Sequence, residues 1–183
     1  MHNYKLDLSK KVLDWYDNNR RDLPWRLENS KKKLEFYTLV SEFMLQQTQV
    51  RTVIPYFLKF IKRFPNIRIV SQANSRLILK HWEGLGYYSR AKNLHITSKI
   101  LCKKYSGKMP KSINDLKRLP GIGDYTASII MAIVHKKPHI AFDGNVKRLT
   151  KRFFALNTIE SSQSLKFLKN KSNIFLHKKR HGD

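Results

Sequence analysis

Leu119-Pro120-Gly121-Ile122-Gly123-Asp124-Tyr125-Thr126-Ala127 lies between a short amphipathic stretch with Ile113 and Leu116 and an apolar run from Ile129 to Val134. Pro120 ends the first helix, and the two glycines permit positive φ in a tight hairpin. Their missing side chains let a ligand approach the backbone, and the start of the second helix aims N–H groups and the helix dipole at an anion. A lone Gly-x-Gly is a common turn. With Leu-Pro before it and Thr-Ala after it, in a basic segment, it predicts a helix-hairpin-helix that holds a phosphate through Gly121, Ile122, Gly123 and Thr126.

The charge around the hairpin supports that reading. The 183 residues carry 37 Lys and Arg against 13 Asp and Glu, a formal net charge of +24. Lys outnumbers Arg about two to one, as biased codon usage produces, but codon bias does not remove acids. Residues 1–50 hold nine bases and seven acids, net +2, whereas residues 51–183 hold 28 and six, net +22. A sustained positive field with interleaved Tyr, Trp and His fits nucleic acid better than a lipid surface. With 41% hydrophobic residues the chain can bury a core, which separates it from a basic disordered tail. The longest apolar run, Ile129 to Val134, is far short of a membrane span, and Met1 to Asp7 has no apolar h-region. These features predict a cytoplasmic protein with no membrane partner. The single cysteine, Cys102, excludes an internal disulfide and any multi-cysteine metal site within these residues.

Helical periodicity runs nearly throughout, and no stretch alternates with period two, so the fold class is all-α. Leu8, Val12, Trp15 and Tyr16 mark one face of a first helix that ends near Asn18-Asn19. Further helices are expected over 34–48, 53–64 with Pro55 in the first turn, 74–82, 88–105, 112–118, 124–135, 145–155 and 162–170. The tail Lys178 to Asp183 has neither a helix stop nor a cap, which reads as a cut chain.

Four other segments carry candidate chemistry. In Ser41-Glu42-Phe43-Met44-Leu45-Gln46-Gln47-Thr48-Gln49-Val50, Glu42 falls among Leu39, Phe43 and Leu45. Desolvation there would raise its pKa toward neutrality and suit it to proton donation; the alternative is a surface Glu with Gln neighbours at a helix end. In Phe142-Asp143-Gly144-Asn145-Val146-Lys147-Arg148, Asp143 reads as the N-cap of a basic helix. The same carboxylate beside a DNA groove can stabilise a developing cation. Trp82-Glu83-Gly84-Leu85-Gly86-Tyr87-Tyr88-Ser89-Arg90 puts two aromatics on a glycine turn that can wedge into a base stack, with one of the two tyrosines expected in the core. Arg20-Arg21-Asp22-Leu23-Pro24-Trp25-Arg26 sets an indole among guanidiniums, as a packing anchor, a pocket wall, or both.

Together these five ordered motifs, from about Val12 to Phe154, resemble the helix-hairpin-helix DNA glycosylases, and within them the MutY-type adenine DNA glycosylases. The resemblance implies a six-helix barrel-like domain over 24–140, with the hairpin at 113–135. It also implies an N-terminal helix over 1–23 that belongs to an iron-sulfur subdomain, and the incomplete start of a second helical subdomain over 141–183. It implies a nucleoid-associated monomer that acts on double-stranded DNA. Adenine opposite 8-oxoguanine or guanine is flipped out and its N-glycosidic bond hydrolysed. Glu42 would protonate adenine N7 and assist water, and Asp143 would stabilise the oxocarbenium-like sugar or a covalent intermediate. Tyr125 and Asn145 would orient these carboxylates. Arg21, Trp25, Arg26 and Leu45 would line the adenine pocket, while Gln47 and Tyr87 enter the stack near the opposite base. Endonuclease III, a relative acting on oxidised pyrimidines, has a lysine two residues after the second hairpin glycine that forms a Schiff base. Tyr125 stands there, which implies a monofunctional enzyme with Lys147 as at most an accessory phosphate contact or trapping residue.

The family continues into a four-cysteine loop that binds a 4Fe-4S cluster and a domain that recognises 8-oxoguanine. The cluster is therefore expected of the family, but its ligands are absent here, and the apolar face of the first helix is left partly uncovered. The alternatives are an endonuclease III-like glycosylase/lyase for oxidised pyrimidines and a non-catalytic, truncated DNA-binding module.

Overall fold

The computed structural model describes residues 2–27, 30–156, 162–177 and 179–182, with only the backbone of 2–7 and 162–164. The helices are α1 (His2–Asn19), α2 (Lys31–Leu45), α3 (Val50–Arg63), α4 (Ile67–Gln72), α5 (Ser75–Lys80), α6 (Tyr88–Tyr105), α7 (Ile113–Lys117), α8 (Asp124–Ile133), α9 (Gly144–Phe153) and α10 (Ser162–Ser172). A 3-10 turn, Asn173–Phe175, follows, and the described residues contain no strand. No described helix is long and apolar enough to cross a membrane. The chain divides into two compact units: residues 22–123, and residues 1–21 with 124–183. The sequence reading drew its boundaries at 23/24 and 140/141 instead.

In the unit of residues 22–123, α2 is the central helix. Its C-terminal half is buried on every side, at Thr38, Leu39, Val40, Ser41, Glu42, Phe43 and Met44, as expected of a helix enclosed by others rather than lying on a surface. Against it packs α3, whose Val53, Phe57 and Phe60 recur at spacings of four and three on one face. Edge-to-face rings tie α3 to α2 and to flanking segments: Phe57 meets Tyr37 of α2 at 5.3 Å and Trp25 at 5.2 Å between centroids, and Phe60 meets Trp82 at 6.1 Å. Truncating Phe57, which is fully buried, removes both contacts and costs about 3–5 kcal/mol.

Pro55 sits in the second turn of α3, not the first as expected, because that helix starts three residues early at Val50. Its absent N–H deprives the Arg51 carbonyl of a helical donor. The short α4 had no counterpart in the sequence reading. Six residues show too little periodicity, and its visible mark is Asn66, whose side chain accepts the Ile69 N–H at 3.1 Å. The long α6 packs on α2, α4 and α5 and closes at a left-handed Ser106 and Gly107, with the Gly107 N–H donating to the Leu101 carbonyl at 2.9 Å.

In the other unit, α1 packs on the 3-10 turn and α9 on α10. Phe153 contacts Phe154 and Phe175 edge-on at 5.1 and 5.7 Å, and the Lys171 ammonium stands 5.4 Å from the Phe154 ring centroid. Arg180 forms a bidentate pair with Asp17 at 2.7 and 2.8 Å. Hydrogen bonding from Arg180 holds the Asp17 carboxyl below its ordinary range; both side chains are solvent-exposed, so the pair contributes little to stability. The apolar face predicted for α1 is partly open: Val12 and Trp15 are 41% and 64% exposed, while Leu8 and Tyr16 are half-buried.

Candidate active site

Glu42 is 8% exposed, enclosed within the buried half of α2. The surface alternative for this residue is therefore excluded. Loss of hydration pushes its carboxyl up to about 7, against the pull of the Arg26 guanidinium. A carboxyl with that affinity is half protonated near neutral pH and can give up or take a proton there.

After α2 the chain turns through Gln46, Gln47 and Thr48. Gln47 is exposed with φ 58°, a left-handed conformation that costs a side-chain-bearing residue about 1–2 kcal/mol. A second turn, at Gly84, Leu85, Gly86 and Tyr87, has Gly84 and Gly86 at φ 90° and 76°, then Tyr87 at φ 48°. Tyr87 is 59% and Tyr88 44% exposed. Neither tyrosine is the core residue expected of one of them, because Trp82 fills that place and donates its indole N–H to the Gly86 carbonyl at 3.2 Å.

One buried side chain, Arg90, connects these turns. Its Nη1 donates to the carbonyls of Phe43 (3.3 Å), Met44 (2.7 Å) and Gln46, and to Thr48 Oγ1 (3.1 Å). Its Nη2 donates to the Leu85 and Gly86 carbonyls at 3.3 and 3.1 Å, and Nε to Tyr87 O at 3.4 Å. Sequence reasoning named Arg90 only as a cation beside the tyrosines. The available signal was its place in the first turn of α6, where the helix dipole disfavours a positive charge unless other acceptors hold it.

The hairpin is anchored to the same network. Gln46 Nε2 donates to the Gly121 carbonyl at 3.1 Å, and Thr97 Oγ1 to the Pro120 carbonyl at 2.9 Å. Gly121 has φ 80°, and a Cβ there would stand 2.6 Å from Phe43 Cε1, so glycine is required twice over. Gly123 does not use the positive φ that glycine permits, and an added Cβ there would meet nothing. What Gly123 provides is clearance. Ile122 is 4% exposed, so only its backbone is available to a ligand. Thr126 likewise buries its side chain at the start of α8, while Tyr125 beside it is 43% exposed.

Asp143 is the N-cap of α9. Its Oδ1 accepts the Val146 N–H at 2.8 Å and its Oδ2 accepts from Asn145 Nδ2 at 3.3 Å. Asn145 is held from the other side by Arg148, which donates to its Oδ1 at 2.8 Å. A cavity of about 450 Å³ beside this cap is lined by Lys147, Arg148, Lys151 and Arg152.

Thus Glu42, Arg26 and the Gln47 and Tyr87 turns lie in one unit with the hairpin glycines, and Asp143, Asn145, Tyr125, Thr126 and Lys147 in the other. Leu45 is half-buried at the end of α2. Arg21 is exposed, and Trp25, 3% exposed against Phe57, is a packing anchor. A four-thiolate cluster does not fit these residues. Cys102 is the one cysteine, its Sγ faces the Ile67 carbonyl, and no group of three or more metal-ligating side chains occurs among the described residues.

By fold this is an all-helical DNA glycosylase architecture built around a helix-hairpin-helix. A solved thermostable thymine-DNA glycosylase superposes with a TM-score of 0.83 at 21% identity, covering 96% of this chain and 80% of its own. The chain belongs to the HhH-GPD superfamily of base excision DNA repair proteins, whose sequence model matches residues 40–172. Among curated relatives, the adenine DNA glycosylase of Buchnera aphidicola subsp. Baizongia pistaciae is 46% identical over 147 residues, covering 80% of this chain and 41% of the relative. That of Buchnera aphidicola subsp. Acyrthosiphon pisum is 42% identical over 155 residues, covering 84% and 43%. The chain thus spans about two fifths of the length of these relatives.

Proposed function

We propose that this chain carries the base-excising part of an adenine DNA glycosylase, which hydrolyses the N-glycosidic bond of adenine opposite 8-oxoguanine or guanine in duplex DNA. The observation that carries the reading is Glu42: a carboxyl raised to about 7 by burial, in a chain whose relatives bear that name. Glu42 in its acid form gives its proton to N7 of the extruded adenine, and the C1′–N9 bond breaks with its electron pair leaving on the base. The Asp143 carboxylate, held by its cap bonds, stabilises the sugar cation or bonds to it. Water then adds at C1′ and returns a proton to Glu42. Tyr125 and Asn145 orient the two carboxylates, and Arg21, Trp25, Arg26 and Leu45 bound the base pocket, Trp25 by packing behind it.

Gln47 and Tyr87 wedge into the stack beside the opposite base, as their exposed, left-handed turns suit them to do. The hairpin glycines, Ile122, Thr126 and Lys147 hold phosphates. Tyr125 has no amine, so the enzyme is monofunctional. It works as a monomer, and its DNA substrate places it with the nucleoid in the cytoplasm.

A single-turnover assay on duplexes with adenine opposite 8-oxoguanine tests the assignment. Glu42→Gln is expected to lower the rate by about 10²–10⁴-fold. An unchanged rate refutes it, and salt-sensitive binding without any product marks a DNA-binding module instead.

A further inference from the structure

We propose that Arg90 is a positioning residue: it sets the spacing and backbone pose of Gln47 and Tyr87, and through them the discrimination between mispaired and matched duplexes. The inference rests on the wedge reading of those two residues.

The geometry of the guanidinium carries it. The fork is divided between the two turns, with Nη1 on residues 43–48 and Nη2 and Nε on residues 85–87. Two of the acceptors are the carbonyls of Gln46 and Gly86, which belong to the peptide planes immediately before Gln47 and Tyr87. Holding those planes anchors the side from which φ of each left-handed residue is measured. The Tyr87 carbonyl is held as well, and the Tyr87 ring lies over the guanidinium with its centroid 5.2 Å from Cζ.

All these partners are neutral oxygens. A 5%-exposed guanidinium without a carboxylate is a costly way to fill a core, and an apolar side chain would pack there at less expense. Arg supplies what an apolar residue lacks, namely five donors in a rigid plane that bridge two backbones. Gln46, bonded through its side chain to the Gly121 carbonyl, extends the link to the hairpin. A shift at Arg90 therefore reaches both wedge residues together.

The test measures affinity of the 183-residue chain for a duplex carrying uncleavable 2′-fluoroadenosine opposite 8-oxoguanine, and for the matched duplex. A 2-aminopurine beside the lesion reports unstacking by fluorescence. Arg90→Lys, which concentrates its donors on one nitrogen, is expected to lower the mispair-to-match affinity ratio about tenfold and abolish the fluorescence rise. Matched-duplex affinity stays within about twofold, because Arg90 itself donates to no hairpin residue and the Gln46 side-chain bond to the Gly121 carbonyl is retained. In a Gln47→Ala, Tyr87→Ala background, Arg90→Lys should add nothing further.

A merely structural Arg90 would lower selectivity equally in both backgrounds, and that result overturns the proposal. So does full selectivity in Arg90→Lys when Gln47→Ala, Tyr87→Ala has lost it, an outcome that leaves the wedge reading standing. If removing Gln47 and Tyr87 leaves selectivity intact, the wedge reading itself fails and the inference falls with it. Should Arg90→Lys not fold, Thr48→Val removes one acceptor on the Gln47 side and carries the same comparison, with an expected loss of about threefold.

Discussion

Replacing Glu42 by Gln should stabilise the protein at alkaline pH and leave it nearly unchanged in acid. The Glu42 carboxyl lies at about 7 in the folded chain and at 4.5 when solvated. Below 4.5 both states hold the proton and burial carries no ionic penalty. Between 4.5 and 7 the unfolded chain releases its proton while the folded chain keeps it, so wild-type stability falls as pH rises. Above 7 the folded group ionises too, and the penalty levels off. An interval of about 2.5 pH units at about 1.36 kcal/mol each comes to roughly 3 kcal/mol. Gln occupies the same space without titrating. Denaturant titrations of wild type and Glu42→Gln from pH 4 to 9 should show the difference in unfolding free energy growing by roughly 3 kcal/mol across that window. Arg26→Ala removes the charge that opposes the shift and should move the upper end of the window to higher pH. A pH-independent difference would refute the reasoning, because it would mean that Glu42 titrates alike in both states. If Glu42 is the proton donor proposed above, the glycosylase rate should fall tenfold per pH unit above about 7.

Four other outcomes follow from single sites. Gly121→Ala meets Phe43 and forces an L-residue to φ 80°, so it should cost about 2–4 kcal/mol in denaturant melts. Gly123→Ala has open space; it should leave stability within about 0.5 kcal/mol while weakening binding to a matched duplex. Asp143→Ala loses the α9 cap and should cost about 1 kcal/mol, whereas Asp143→Asn keeps a capping oxygen and should lose single-turnover rate with little change in stability. His95 is 4% exposed with Nδ1 3.3 Å from Ser75 Oγ; burial, and then Lys99, hold its pKa below 6.5. The folded state therefore refuses a proton that the unfolded state accepts, and stability should drop as pH falls below 6.5. Comparing melting temperatures of wild type and His95→Gln at pH 7.5 and 5.5 checks the direction.

Local chemistry explains what was readable in the chain. The hairpin, the Asn18-Asn19 stop, the Asp143 cap and the 88–105 helix are each set by residues within one or two turns of each other. The family resemblance rested on the same short motifs. Reading failed where the deciding partner is remote. Gly121 is left-handed and packed against Phe43 and Gln46, from a separate helix and turn, whereas Gly123 is neither left-handed nor crowded. Neither turn tyrosine is buried, because Trp82 already occupies the core beneath them.

By itself the sequence determined an all-helical, strongly basic chain with a glycine hairpin between two helices, since helical period and glycine turns are set by near neighbours along the backbone and net charge is a sum over composition. For Glu42 and Arg90, sequence supplied identity but not function. Enclosure of α2 by its neighbours strips water from one carboxyl and raises it to about 7. The same packing brings residues 43–48 and 85–87 within reach of one guanidinium. Desolvation and convergence of distant backbone arise only when remote segments pack together, so the acid and the clamp belong to the tertiary structure.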